Sequence, residues 1–151
     1  MIDLQIIEEL QTQFTDIPEA MISLATIADC EGDLEDAAMA LAIRVGQQPD
    51  IANSEWLKGL AKKCRVAICR SEFRNDMVSG NFVPLFQHFI SLKVCPTLLI
   101  LPVLLYVHES GVNLFCQPLD PVWVKRSQKP DFLEKSGFFF GANSLLIYIL
   151  E

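Results

Sequence analysis

The stretch Cys95-Pro-Thr-Leu-Leu-Ile-Leu-Pro-Val-Leu-Leu-Tyr-Val107 (CPTLLILPVLLYV) holds thirteen residues without a charge and admits three structures. A membrane span needs about 18 consecutive apolar residues, and extending the run backwards meets Lys93, His88 and Gln87. A hairpin is the second option, with LLYVHE and VNLFCQ as strands turning at Ser110-Gly111. The third is a buried core helix, kinked or restarted at Pro102, because proline has no amide proton to give the hydrogen-bond ladder. Leu104, Val107, Gly111, Leu114 and Phe115 fall on one helical face and favour this last reading. The fold class that follows is all-α, with a very apolar core built around residues 96–116.

The flanking sequence agrees with a helical unit over residues 56–116. Phe82, Leu85, Phe86, Phe89 and Ile90 make one apolar stripe, with Pro84 acceptable in the first turn and Ser79-Gly80-Asn81 as the preceding turn. Before that, WLKGLAKKCRVAICRSEF (Trp56–Phe73) reads as a single amphipathic helix capped by Asn53 or Ser54. Leu57, Leu60, Ala61, Cys64, Ala67 and Ile68 line one side of it. Residues 47–55, polar and proline-containing, are the expected linker. Residues 117–151 form a tail interrupted by three prolines and ending in the apolar groups Phe138–Phe140 and Leu145–Leu150.

Residues 1–46 show three shorter helical patterns. Leu4, Ile7, Leu10 and Phe14 repeat at helical spacing behind Asp3 as N-cap. Asp16-Ile-Pro-Glu19 carries a helix-start signature of the capping-box kind, and the helix it opens buries Met21, Leu24 and Ile27 before stopping near Gly32. Asp33 then caps a helix whose inner face is Leu34, Ala37, Ala38, Leu41 and Val45, with Gly46 as its stop.

The segments Leu10-Gln-Thr-Gln-Phe14, Asp16-Ile-Pro-Glu19 and Gly32-Asp-Leu-Glu-Asp-Ala37 leading to Leu41 resemble the UBA-like three-helix fold, and within it the CUE variant. The resemblance covers about the first third of the chain. It implies a tight corner at Gly32 and a close approach of two helices at Ala37. The family binds ubiquitin through a Met-Phe-Pro turn and a di-leucine. Gln13-Phe14-Thr15 and Leu41-Ala42 stand at those places here, so only Phe14 and Leu41 match. The resemblance therefore implies Phe14 and Leu41 as partner contacts and reaches the fold rather than the ligand.

The 151 residues carry a net charge of −7, unevenly distributed. Up to Glu55 there are twelve acidic residues and one basic, a net −11, whereas from Trp56 onward seven acidic and eleven basic residues give +4. Lys58, Lys62, Lys63, Arg65 and Arg70 concentrate the positive charge on one helix, a basic surface suited to an anionic membrane or to the chain's own acidic third. Overall acidity repels polyanions at long range and argues against nucleic acid.

No catalytic constellation emerges. Ser79-Gly80, Ser110-Gly111 and Ser136-Gly137 lack a nucleophile elbow, and neither GxGxxG nor GxxxxGK[ST] occurs, so no cofactor is expected. His88 and His108, with Cys95 and Cys116 after them, match no zinc spacing, so no metal is expected. Five cysteines, an odd number without a CxxC pair, sit behind an acidic N-terminus, which predicts free thiols in a reducing cytoplasm. Cys64 and Cys69, flanked by Lys63, Arg65 and Arg70, are the candidates for thiol chemistry, with a buried structural role as the simpler reading.

These observations predict a non-catalytic cytoplasmic adaptor that binds an unidentified protein partner through helix faces. The apolar C-terminal segments offer a surface for homo-oligomerisation. The alternative is a membrane-associated regulatory protein that uses the basic helix and the apolar segments.

Overall fold

A computed structural model describes residues 1–49 and 55–119. Every regular element among them is helical: α1 (Leu4–Gln13), α2 (Pro18–Asp29), α3 (Leu34–Arg44), α4 (Trp56–Lys63), α5 (Arg65–Ile68), α6 (Ser71–Ser79), α7 (Val83–Leu92), α8 (Thr97–Ser110) and α9 (Val112–Cys116). The protein is all-α, and the hairpin alternative is excluded because residues 104–116 lie in α8 and α9. The chain divides into two units, Met1–Cys116 and Gln117–Glu151, and of the second only a 3-10 turn at Gln117–Leu119 is described. Residues 1–46 and 56–116, read from sequence as successive units, share one core inside the first. The expected caps Asn53 and Ser54, and the apolar groups of the tail, lie outside the described residues.

The decisive stretch is the centre of that core. Leu99 to Leu105 and Val107 of α8 are buried almost without interruption, and α2, α3, α4 and α7 all pack on this helix. A helix apolar all round must be enclosed on all sides, and each fully buried Leu or Ile contributes about 1.5–3 kcal/mol. The expected restart at Pro102 is not found: α8 runs through it for 14 residues and breaks only at Gly111, whose φ is +98°.

Ser23 explains how the helix tolerates its proline. Without an amide proton on Pro102, the Leu98 carbonyl four residues earlier has no partner inside α8. Ser23, the only fully buried polar side chain among the described residues, donates its Oγ–H to that carbonyl at 2.7 Å from across the α2–α8 contact. Its rival acceptor, the Glu19 carbonyl in its own helix, is further away at 3.1 Å.

Local signals set the first three helices. The Asp3 carboxylate accepts from the Gln5 amide, and that of Asp33 accepts from Glu35 and Asp36. Pro18 occupies the first turn of α2, but the residue before the helix is Ile17 and no side chain caps it, so Asp16 does not serve as expected. Glu31 and Gly32 both take positive φ, +58° and +84°, between α2 and α3. Gly32 is required for a further reason. The Ile2 amide donates to its carbonyl at 2.8 Å, and a Cβ at Gly32 would collide with the Ile2 carbonyl oxygen.

Two sequence expectations about faces need correction. Leu4, Val45, Ile90 and Leu114, assigned to inner stripes, are exposed, because Ile2, Ala42 and Phe115 take the inward positions in their neighbourhoods. The single helix expected over Trp56–Phe73 is three helices, interrupted at Cys64 and at Cys69-Arg70, where Arg70 is extended (φ −64°, ψ 138°). The buried stripe Leu57, Ala61, Cys64, Ala67 and Ile68 survives the first break. The second break brings Cys69 onto Cys116 of α9 in a disulfide spanning 47 residues of sequence, which corrects the expectation that every thiol is free.

Candidate partner-binding surface

Phe14 and Leu41, the contacts implied by the UBA-like resemblance, are core residues. Phe14 is 0% exposed, with its ring edge-on to Phe86 of α7 at 5.1 Å, and Leu41 is 1% exposed on the inner face of α3. Neither can touch a partner without unpacking the core. The reason is the second half of the chain: α7 and α8 cover the faces that an isolated three-helix module would present to solvent.

The basic residues have more varied fates. Lys58 pairs with Glu55 one turn earlier, at 3.9 Å. Arg70 reaches Glu72 through Nε and a terminal nitrogen at 3.2 and 3.0 Å. Arg65 turns inward, its guanidinium 4.6 Å from the centre of the Phe115 ring, a cation–π contact that clasps α5 to α9. Lys62 and Lys63 stay exposed and have no acidic partner among the described residues. Val66, 73% exposed, follows in α5 beyond the break at Cys64, and Arg70, also exposed, stands in the extended break before α6. Lys62, Lys63, Val66 and Arg70 are thus exposed along a segment whose buried side chains Leu57, Ala61 and Ile68, and the Cys69 disulfide, anchor it. Sequence reasoning identified the cations but not Val66, which hydropathy alone assigns to a core.

The opposite charge collects at the α2–α3 corner. Burial pushes the Glu35 carboxyl above the ordinary range, reinforced by Asp33, Glu55 and Asp36. Burial likewise raises the Cys30 thiol, with Asp36, Asp33 and Asp29 adding to it. A shallow depression of about 270 Å³ lies elsewhere, lined by Val78, His108, Gly111, Val112, Asn113 and Leu114.

The remaining candidate ligands and nucleophiles are dispersed. His88 lies against Phe73 with the rings tilted by 38° and their centres 5.0 Å apart, and His108 meets Phe82 edge-on at 5.4 Å. Among the described residues no three His, Cys, Asp or Glu side chains converge as a metal set. No helix among them is by itself long and apolar enough to cross a membrane. Cys64 is buried, and Cys95, just before α8, is half-buried; both are free thiols. The Cys69–Cys116 bond across 47 residues left no trace in local spacing. Comparison with protein-family models, curated proteins and solved structures finds no match for this chain.

Proposed function

We propose that the protein is a non-catalytic adaptor whose α4–α6 surface binds an acidic, partly apolar face of another protein. The observation that carries this reading is the exposure of Lys62, Lys63, Val66 and Arg70 along a segment anchored by Leu57, Ala61, Ile68 and the Cys69–Cys116 disulfide. Exposed cations alone contribute little to affinity but steer encounter, while an exposed valine adds apolar area that association removes from water. The first three helices are read as a UBA-like unit, supported by the close approach at Gly32 and the buried Ala37 and Ala38 between helices. With Phe14 and Leu41 inside, its contribution is structural.

The test compares wild type with the double variant K62E/K63E, each shown to be folded by circular dichroism, in affinity purification with quantitative mass spectrometry. The adaptor reading expects at least one partner whose recovery falls about tenfold in the variant and falls with salt in the wild type. Partner lists identical between the two proteins would remove Lys62 and Lys63 from the function. Charge-dependent sedimentation with vesicles rich in phosphatidylserine, without any protein partner, would favour the membrane-associated alternative.

A further inference from the structure

Three links tie α9 to α5 and α6. Arg65 and Cys69, four residues apart and so on one face of α5, meet Phe115 and Cys116 of α9, the first by a cation–π contact at 4.6 Å and the second by the disulfide. Arg74 of α6 adds a hydrogen bond from a terminal nitrogen to Asn113 Oδ1 at 3.2 Å. Neither short helix holds itself: α5 has four residues and α9 five, well below the length at which a helix is stable alone. The cation–π contact and the exposed hydrogen bond are individually weak, so the covalent bond is the strongest of the three links. It also sits beside the break that holds Arg70, the next residue, extended between α5 and α6. We propose that the Cys69–Cys116 disulfide is a reducible lock: closed, it holds α9 on α5 and fixes the α4–α6 surface; opened by a dithiol, it lets α5 fray and weakens partner binding there. The regulatory half of this proposal rests on the adaptor reading of that surface.

Access and charge both suit thiol–disulfide exchange at this bond. Cys69 is half-buried whereas Cys116 is fully enclosed, so an incoming thiolate reaches Cys69 Sγ first. Arg65, Arg70 and Arg74 surround Cys69 in the sequence against one acid, Glu72, which Arg70 engages, and positive charge favours both the arriving and the departing sulfur anion. The thiolate attacks Cys69 Sγ, the bond to Cys116 breaks, and Cys116 leaves as a thiolate that takes a proton. The second thiol of the reductant then gives up its proton and attacks the reductant's own sulfur in the mixed disulfide, releasing Cys69 as a thiol. In sum, one disulfide and one dithiol give two cysteine thiols and the reductant's disulfide, with two electrons and two protons passing to the protein. Cys30, Cys64 and Cys95 are free thiols already, so a dithiol changes only this bond. Val112 and Phe115 are buried in the core cluster, so opening the lock loosens α9 rather than expelling it. A partner must then order α5 as it binds, which lowers affinity.

The full chain is compared before and after dithiothreitol, with alkylation of three against five thiols in the unfolded protein confirming the state of the bond. Hydrogen exchange read by mass spectrometry should accelerate at least about tenfold on reduction in peptides holding the Ile68, Cys69 and Phe115 amides, which are bonded within these turns, and stay unchanged in α2 and α3. A partner that K62E/K63E releases should be recovered about fivefold less by the reduced chain. The variant C69S/C116S should match the reduced chain in both readouts without any dithiol, which separates the lock from an effect of dithiol on the partner; where it fails to fold, the reduced wild type decides. Resistance of the native bond to dithiothreitol, or unchanged exchange after reduction, overturns the lock whatever the partner does. Exchange that accelerates while recovery stays equal overturns the regulation and leaves the adaptor reading standing. If no partner depends on Lys62 and Lys63, the adaptor reading fails and the regulation with it, while exchange alone decides the lock.

Discussion

The corner between α2 and α3 and the proline in α8 both interrupt helical hydrogen bonding, and they satisfy the freed backbone groups by opposite means. At the corner every partner but one is local. Asp33 covers the first amides of α3, and the Gly32 amide returns to Ile27. Only the Ile2 amide reaches in from outside. In α8 the Leu98 carbonyl is satisfied by Ser23, 75 residues away. A short-range solution is written into a few adjacent residues, whereas a long-range one exists only once two helices have docked. Cys69 with Cys116 and Phe14 with Phe86 belong to the second kind.

The contrast can be broken most forcefully at Phe14. If the first three helices close on themselves, Phe14→Ala costs little; if their core is shared with α7, removing a fully buried ring costs about 3–5 kcal/mol, read from urea denaturation. The shared core predicts the larger loss, and with it cooperative unfolding of α1–α9 in one transition. Gly32→Ala comes next, at about 2–3 kcal/mol, since the substitution must both hold a positive φ and push away the Ile2 backbone. An unchanged denaturation midpoint for this variant would show that the Ile2 arm leaves the corner in solution.

A smaller effect separates the two ways of satisfying the backbone. Ser23→Ala strands the Leu98 carbonyl and is expected to cost about 1–2 kcal/mol. In a Pro102→Ala background residue 102 regains its amide, so the same Ser23→Ala change should cost at least about 0.5 kcal/mol less, a coupling that a double-mutant cycle reads directly. Additive effects would mean that Ser23 serves α2 alone.

The smallest effect tests the acidic corner. The folded-state pKa of Glu35 is raised, so its contribution to stability is fully present below the unfolded value of about 4.3 and is lost as pH rises through the folded one. Glu35→Gln should therefore raise the Tm at pH 7, and the difference should vanish under acid conditions. A lower Tm at pH 7 would mean that the favourable position of a carboxylate in the first turn of α3 outweighs burial and its acidic neighbours.

Much of the fold was legible because its signals are short in sequence. Asp3 and Asp33 as caps, the turn at Gly80, and the stripe Leu85, Phe86 and Phe89 all rest on contacts within about one turn. The candidate surface was half legible. Lys62, Lys63 and Arg70 stand out as charges, whereas the outward Val66 and the inward Arg65 are decided by where Cys64 and Cys69 break the helix. The lone serine on the apolar stripe Ala20, Ser23, Leu24 and Ile27 was a readable hint of a buried acceptor nearby, and Pro102 was its other half.

By itself the sequence determined the all-α class and the local helix starts and stops of α1–α3, because helical periodicity, capping side chains and glycine turns act over a few residues. Tertiary structure alone decided that α8 passes unbroken through Pro102, that Phe14 and Leu41 are interior, and which cysteines meet. Each of these depends on groups 47 or more residues apart being brought together as the helices pack around α8, and no local pattern specifies which distant group will arrive.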